Sequence, residues 1–157
     1  EKNIDLAIEA MAELVKKFPQ LGLIIVGSGP EEQRLKLKTK TLALPADGYH
    51  LESHIVFEPW TDDLVSYYKT ADLFLNTSWY EGYGRTLVEA LVCGCPVIST
   101  GVGVAREIGA IIINQDNIAR VIENTLMNKM SEIADRDIYP YPNKQLYLKS
   151  YERLWTI

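Results

Sequence analysis

Residues 76–90 read Asn-Thr-Ser-Trp-Tyr-Glu-Gly-Tyr-Gly-Arg-Thr-Leu-Val-Glu-Ala, and they are the part of the sequence most informative about the fold. It begins at the end of a predicted strand, residues 72–76, and continues into a predicted helix, residues 84–92. Gly82 and Gly84 allow a sharp turn between the two elements. A strand that leads through a glycine turn into a helix is the unit from which parallel sheets are built.

The rest of the chain repeats this alternation of strands and helices. Helical spacing of apolar residues predicts further helices over 4–18, 31–42, 61–68, 116–129 and 143–155. Short apolar runs predict further strands over 21–26, 55–58, 96–100 and 110–114. We therefore expect an α/β fold with a Rossmann-like, doubly wound parallel sheet that helices cover on both faces.

The composition indicates one acidic domain. The 157 residues are 47% apolar, which is enough for a single substantial core. A net charge of −5 argues against a nucleic-acid partner, since that needs Lys and Arg gathered on one face. Cys93 and Cys95 are too close in sequence for an ordinary disulfide, so we interpret both as buried small hydrophobes. No apolar run is long enough to span a membrane, and a cytoplasmic setting is expected.

Parallel sheets bind ligands beyond the carboxyl ends of their strands, where helix N-termini offer free backbone N–H groups. Gly27 and Gly29 follow one predicted strand, and glycines there would let the backbone come close to a phosphate or a sugar. However, Glu32 stands where a dinucleotide fingerprint has its third glycine. A simple tight turn explains this loop equally well.

The loop within residues 76–90 offers more chemistry. Amides of residues 83–86 that point outward form an anion site suited to a diphosphate. The carboxylates of Glu81 and Glu89 suit the vicinal hydroxyls of a sugar or ribose, because each accepts two or more hydrogen bonds. The alternative is that neither glutamate binds a ligand: Glu81 would be a solvated loop residue, and Glu89 would form a surface ion pair. Composition alone favours this alternative.

The order of motifs along the chain decides between these interpretations. Two glutamates separated by seven residues lie in Tyr-Glu-Gly-Tyr-Gly-Arg-Thr-Leu-Val-Glu-Ala-Leu, and Cys-Gly-Cys-Pro-Val-Ile-Ser-Thr follows. Glu-Lys at 1–2, Val-Gly-Ser-Gly-Pro at 26–30 and Ala-Asp at 71–72 accompany them. This order resembles the family 4 retaining glycosyltransferases (glycosyl transferases group 1, GT-B fold). The resemblance covers residues 1 to about 115 and is to the C-terminal, donor-binding half of that fold.

The resemblance implies a role for individual residues. Glu81 is the implied catalytic residue and would position the donor sugar. Glu89 would hold the ribose, and Lys2 would contact the diphosphate. The remaining donor-binding positions are Gly27, Glu58, Trp60, Gly82, Tyr83, Gly84, Arg85 and Thr86. Neither glutamate is assigned as general acid or base, because a glycosidase needs two carboxylates that flank one glycosidic bond.

The implied activity is a hexosyltransferase reaction in polysaccharide biosynthesis. A sugar would pass from a nucleotide diphosphate sugar to an acceptor with retention of configuration. No cofactor or metal is expected, because helix amides and basic side chains neutralise the leaving group. The acceptor, a glycan or lipid, would bind the N-terminal domain of the family. The family setting is the cytoplasm, with peripheral contact to the inner membrane surface.

Three departures from the family pattern affect these expectations. Gly103-Val104 replaces the usual Gly-Gly, so Val104 is expected to narrow the space near the diphosphate. Gly109-Ala110 shortens a longer loop. We expect this chain to lack the domain and the strand that precede Glu1 in the family, and that strand would lie in the middle of a sheet ordered 3-2-1-4-5-6. We expect an N-terminally truncated fragment over residues 1–157 that binds donor weakly, is inactive alone and exposes apolar surface along the vacant position.

Three alternatives stay open on the sequence. Half of a nucleotide-sugar epimerase shares the two-domain plan, but its acid and base residues are not found here. An NAD-type dinucleotide-binding domain is opposed by the missing third glycine, and binding of NAD would favour it. A non-catalytic relic would bind no nucleotide.

Overall fold

The structure, a computed structural model, describes residues 1–42 and 50–135. The chain divides into two compact units, Glu1–Glu123 and Asn124–Ile157, and the site lies within the first. The predicted helix over 143–155 lies outside the described residues.

The secondary structure follows the predicted alternation. The helices are α1 (Ile4–Leu14), α2 (Glu32–Thr41), α3 (Leu64–Thr70), α4 (Arg85–Val92) and α5 (Ile118–Asp135). The strands are β1 (Leu23–Val26), β2 (Ile55–Glu58), β3 (Phe74–Asn76), β4 (Val97–Thr100) and β5 (Ile111–Ile113). A 3₁₀ helix, Leu51–His54, directly precedes β2. Helix α1 ends earlier than predicted, in a turn before Pro19.

All strand pairing is parallel among the described residues, as the α/β expectation requires. The strands form two sheets instead of one, with the orders β1-β2 and β3-β4-β5. The loops after β3 and β4 leave adjacent strands, so the pairing brings them together at one edge.

Each sheet packs against its own apolar cluster. Helices α1 and α2 cover one face of β1-β2 through a cluster that includes Ile8, Val15 and Leu35. Helices α3 and α4 contribute to a second cluster beside β3 and β4, which includes Tyr68, Leu87 and Val97. Cys95 is buried as expected, and Cys93 is partly buried.

The first sheet is less covered than the sequence predicted. Ile24 on β1 and Val56 on β2 are register partners, and they are 55% and 48% exposed. Their neighbours along the strands, including Ile25 and Phe57, pack against the α1 and α2 cluster. Because successive side chains of a strand point to opposite faces, one face of this sheet is packed and the other is open.

Candidate functional site

The turn into α4 depends on glycine at position 84. Gly84 is the N-cap of α4 and has a left-handed backbone, with φ 84°. A Cβ added there would lie 2.7 Å from the Leu87 side chain, so both conformation and space require glycine. No side chain caps this helix, and its N-terminus therefore remains available to an anion.

Glu81 lies in the loop between β3 and α4 and is held by two donors. Lys2 Nζ donates to its Oε1 at 2.6 Å, and Ser78 Oγ lies 2.7 Å from the same oxygen. Burial would raise the pKa of Glu81, but the hydrogen bonds from Lys2 and Ser78 outweigh it and hold the pKa below its ordinary value. The group is thus an ionised hydrogen-bond acceptor at neutral pH.

The first residues of the chain are tied to this loop through the backbone. Trp79 N–H donates to the Glu1 carbonyl at 2.9 Å, and the Thr77 hydroxyl donates to the Lys2 carbonyl at 3.0 Å. These contacts fix the backbone that carries the Lys2 ammonium. The structure therefore brings together Lys2 and Glu81, two residues that the resemblance assigned to the same ligand.

Glu89 is held separately, on α4. Tyr68 Oη of α3 lies 3.3 Å from Glu89 Oε2, and Arg85 Nε lies 3.1 Å from Oε1. Burial and the neighbouring Glu89 charge raise the pKa of Tyr68 to about 12, so its hydroxyl stays a donor at neutral pH. Tyr68 also packs edge-on against Phe74, with ring centroids 5.4 Å apart. A buried aromatic residue thereby orients the partly exposed carboxylate.

The loop after β4 contacts the Glu81 loop closely. Val104 N–H donates to the Tyr83 carbonyl at 2.9 Å. Gly103 has φ 54°, and a Cβ added to it would overlap the Tyr83 carbonyl and lie 3.3 Å from Glu81 Cβ. Glycine at 103 is therefore required by the approach of the two loops. The expected narrowing of the diphosphate space by Val104 stays a prediction.

The remaining predicted residues lie at the ends of the first sheet or in the α4 turn. Gly27 N–H donates to the Glu58 carbonyl at 3.0 Å, which joins the carboxyl ends of β1 and β2. Trp60 follows β2 and is exposed, as a side chain that stacks on a base needs to be. Gly82, Arg85 and Thr86 are exposed at the start of α4.

A cavity of about 350 Å³ lies at the carboxyl ends of β3, β4 and β5. Its described lining residues are Leu6, Ser78, Trp79, Thr100, Val102, Ile113, Asn114, Gln115 and Asp116. None of the predicted donor-binding residues belongs to this lining, so the cavity neighbours the Glu81 loop without containing the predicted site.

Within residues 1–42 and 50–135, no group of three or more His, Cys, Asp or Glu side chains is placed to hold a metal ion. No helix in the described part of the chain is long and apolar enough to cross a membrane.

Comparison with known proteins identifies the family. The family model described as Glycosyl transferases group 1 matches residues 1–133. The chain belongs to this glycosyltransferase family. It is 30% identical over 128 residues to an uncharacterized glycosyltransferase of Haemophilus influenzae, a match that covers 78% of this chain and 34% of that protein. It is also 31% identical over 152 residues to the N-acetyl-alpha-D-glucosaminyl L-malate synthase of Bacillus anthracis, covering 97% and 36%.

Solved glycosyltransferase structures share the fold of this domain. WaaG, a glycosyltransferase involved in lipopolysaccharide biosynthesis, matches with a TM-score of 0.67 and 26% identity over 80% of this chain and 35% of its own. Anabaena HepE matches with a TM-score of 0.67 and 25% identity, covering 82% and 36%. The glycosyltransferase domain thus has the predicted α/β, GT-B-type fold. It spans about a third of the length of its two curated relatives.

Sequence reasoning missed the residues that support the two glutamates. Tyr68 ends the helix predicted over 61–68, and no motif or spacing assigns a part to Asn76, Ser78 or Ser99. The available signal was weak: polar residues at the ends of two predicted strands, at 72–76 and 96–100. Their contacts depend on strand order and register, which the sequence alone does not supply.

Proposed function

We propose that this domain binds the donor of a retaining glycosyltransferase and that the donor is a nucleotide diphosphate sugar. The observation that carries the proposal is the joining of Lys2 to Glu81 beside the uncapped N-terminus of α4. A cation and a helix N-terminus suit a diphosphate, whereas an ionised carboxylate suits sugar hydroxyls.

Glu89 suits the ribose in this proposal. Tyr68 and Arg85 each donate to one of its oxygens, which fixes the plane of the carboxylate. A carboxylate has about four acceptor positions, so it still accepts two vicinal hydroxyls beyond these contacts. Gly27, Glu58 and Trp60 would then border the base at the ends of β1 and β2.

Relatives support the class of donor. HepE has been solved in complex with UDP-glucose, and the pneumococcal O-GlcNAc transferase GtfA, 26% identical with a TM-score of 0.58, in complex with UDP and GlcNAc. We extend to this chain the expectation of a nucleotide-sugar donor, without choosing the base or the sugar.

The mechanism follows from the charges around the donor. The leaving diphosphate gains negative charge in the transition state, and preorganised donors from Lys2 and the α4 turn would stabilise it there. The reaction is expected to need no metal or other cofactor for this reason. Glu81 is already ionised, so it positions the sugar and does not protonate the leaving group.

The acceptor would be a glycan or lipid bound outside this domain. One relative, 28% identical over 153 residues, is the alpha-monoglucosyldiacylglycerol synthase of Streptococcus pneumoniae. We propose a cytoplasmic enzyme of polysaccharide or glycolipid synthesis in peripheral contact with the membrane. Residues 1–157 alone are expected to bind donor weakly and to transfer no sugar.

The proposal is tested by donor turnover in the full-length protein. UDP-glucose, UDP-GlcNAc and GDP-mannose are each incubated with diacylglycerol or an oligosaccharide as the acceptor, with and without EDTA, and release of nucleoside diphosphate is measured. We expect turnover of one donor with EDTA present, and a product whose anomeric signal by NMR matches the donor. Glu81→Gln is expected to lower the rate at least about tenfold.

Glu52→Gln is the matched control, because Glu52 is an exposed glutamate on the 3₁₀ helix. Equal rates for Glu81→Gln and Glu52→Gln would show that Glu81 does not contact the donor. An inverted product would contradict the retaining mechanism, and loss of turnover with EDTA would contradict metal independence.

A further inference from the structure

A chain of buried hydrogen bonds connects β4 to Glu81. Asn76 on β3 and Ser99 on β4 are register partners, and Asn76 Nδ2 donates to Ser99 Oγ at 3.2 Å. Ser78 follows at the end of β3, and its hydroxyl lies 2.7 Å from Glu81 Oε1. Ser78 and Ser99 are 0% exposed, and Asn76 is 9% exposed. Three buried polar side chains thus stand behind one functional carboxylate.

The number of hydrogens on each group determines which group donates in each of these buried hydrogen bonds. The Ser99 hydroxyl donates its one hydrogen to the Thr100 carbonyl at 2.6 Å, so Ser99 Oγ serves the Asn76 amide as an acceptor. The amide group of Asn76 must therefore turn its NH₂ towards Ser99 and its Oδ1 towards Ser78. Ser78 N–H donates to that oxygen at 3.2 Å. The orientation of Asn76 is thereby fixed by β4.

The hydroxyl of Ser78 has two acceptors within reach and only one hydrogen. Asn76 Oδ1 and Glu81 Oε1 each lie 2.7 Å from Ser78 Oγ. Asn76 Oδ1 already receives the Ser78 backbone N–H, whereas Glu81 is ionised and is the stronger acceptor. The hydroxyl hydrogen consequently goes to Glu81. Thr100 holds Ser78 from the other side, because its hydroxyl donates to the Ser78 carbonyl at 2.6 Å.

We propose that Asn76, Ser78 and Ser99 are positioning residues that aim Glu81 at the donor sugar. Ser78 and Lys2 both donate to Oε1, so the carboxylate is oriented by that oxygen and Oε2 is presented to the sugar hydroxyls. The inference rests on the proposed function, and it adds residues that do not touch the ligand. Burial makes each bond of the chain costly to break, and this rigidity is what a positioning role requires.

The test separates sugar positioning from general folding. In the full-length protein, kcat and KM for the nucleotide sugar are measured alongside the Kd for the nucleoside diphosphate without its sugar. We expect Ser78→Ala and Asn76→Asp to lower kcat/KM about 10- to 100-fold, since small displacements of positioning groups have large effects. The Kd for the nucleoside diphosphate should stay within about twofold, because Glu81 contacts only the sugar.

The pH profile supplies a second readout. The hydrogen bond from Ser78 lowers the pKa of Glu81, so Ser78→Ala should move the acid limb of kcat/KM to higher pH. Asn76→Asp should move it the same way, since a second negative charge behind Glu81 disfavours ionisation. A variant that only loosened the fold would not move this limb.

Thr39→Val is the matched control. Thr39 is buried like Ser78 and donates to a backbone carbonyl, that of Lys36, but it lies on α2. Variants of Ser78 and Asn76 that behave like Thr39→Val would overturn the positioning role, as would a parallel loss of nucleoside diphosphate affinity. Failure of the proposed function looks different, because the wild-type protein would then bind no nucleoside diphosphate and turn over no donor.

Discussion

Lys2 Nζ and Glu81 Oε1 lie 2.6 Å apart although 79 positions separate the two residues in sequence. The Lys2 side chain is 63% exposed and that of Glu81 is 16% exposed, so the pair contributes little to stability. The pair matters because Glu81 lies in the loop that leads into α4 and holds the Lys2 ammonium there. A ligand with a diphosphate and a sugar would meet both groups together.

Replacing Lys2 tests whether its charge serves the ligand. We expect Lys2→Ala to weaken nucleoside diphosphate binding about tenfold, because a charge-assisted contact is lost. The free energy of unfolding should change by less than about 1 kcal/mol, as for other ion pairs whose cation is exposed to solvent. Titration calorimetry and urea denaturation measure the two quantities. Lys36→Ala is the control, since Lys36 forms a 2.6 Å ion pair with Glu32 on α2. Equal affinities in the two variants would contradict a role for Lys2.

Gly103 tests the contact between the loops after β3 and β4. We expect Gly103→Ala to destabilise the protein and to lower donor affinity, because the new methyl overlaps the Tyr83 carbonyl and crowds Glu81. The measurement is urea denaturation together with donor titration.

Gly94→Ala is a matched control for backbone strain. Gly94 also has a positive φ, 79°, but an added Cβ would meet open space. Gly103→Ala should therefore be less stable than Gly94→Ala by about 1–3 kcal/mol, the typical effect of overpacking. If the two variants were equally stable, the close approach at Gly103 would not hold.

Tyr68 makes stability depend on pH in the alkaline range. Its pKa in the fold is raised to about 12 by burial and by Glu89, from an ordinary value of 10.0. The unfolded chain therefore loses this proton at lower pH than the folded chain does. The stabilisation is complete below pH 10 and is lost as pH rises towards 12.

Tyr68→Phe removes this dependence together with the hydrogen bond to Glu89. We expect the free energy of unfolding of the wild type, measured with urea, to fall more steeply above pH 10 than that of the variant. The variant should also bind nucleoside diphosphate more weakly, because Glu89 loses a donor that orients it. Identical slopes in wild type and variant would show that Tyr68 is not buried against Glu89.

Much of the fold follows from local patterns in the sequence. The strand at 55–58 and the helix from Arg85 to Val92 match their predicted places closely. A short apolar run marks the strand, and the glycine turn before residue 85 marks the start of the helix. The open face at Ile24 was not foreseen, since an apolar run looks the same whether one or both faces are packed.

Only part of the site could be predicted from the sequence. Lys2 and Glu81 came from motif resemblance, and the structure places them in contact. The pairs Asn76 with Ser99 and Tyr68 with Glu89 depend on strand register and on the packing of α3 against α4. Such contacts join distant residues, so no periodicity or spacing in the chain identifies them.

Nucleotide titration of the full-length protein tests the donor site most directly. UDP, GDP, ADP and NAD are titrated without metal into the wild type, Glu89→Ala and the control Glu52→Ala. We expect selective binding of one nucleoside diphosphate, weakened at least about tenfold in Glu89→Ala and unchanged in Glu52→Ala. Binding of NAD, or of none of these nucleotides, would contradict the nucleotide-sugar donor site.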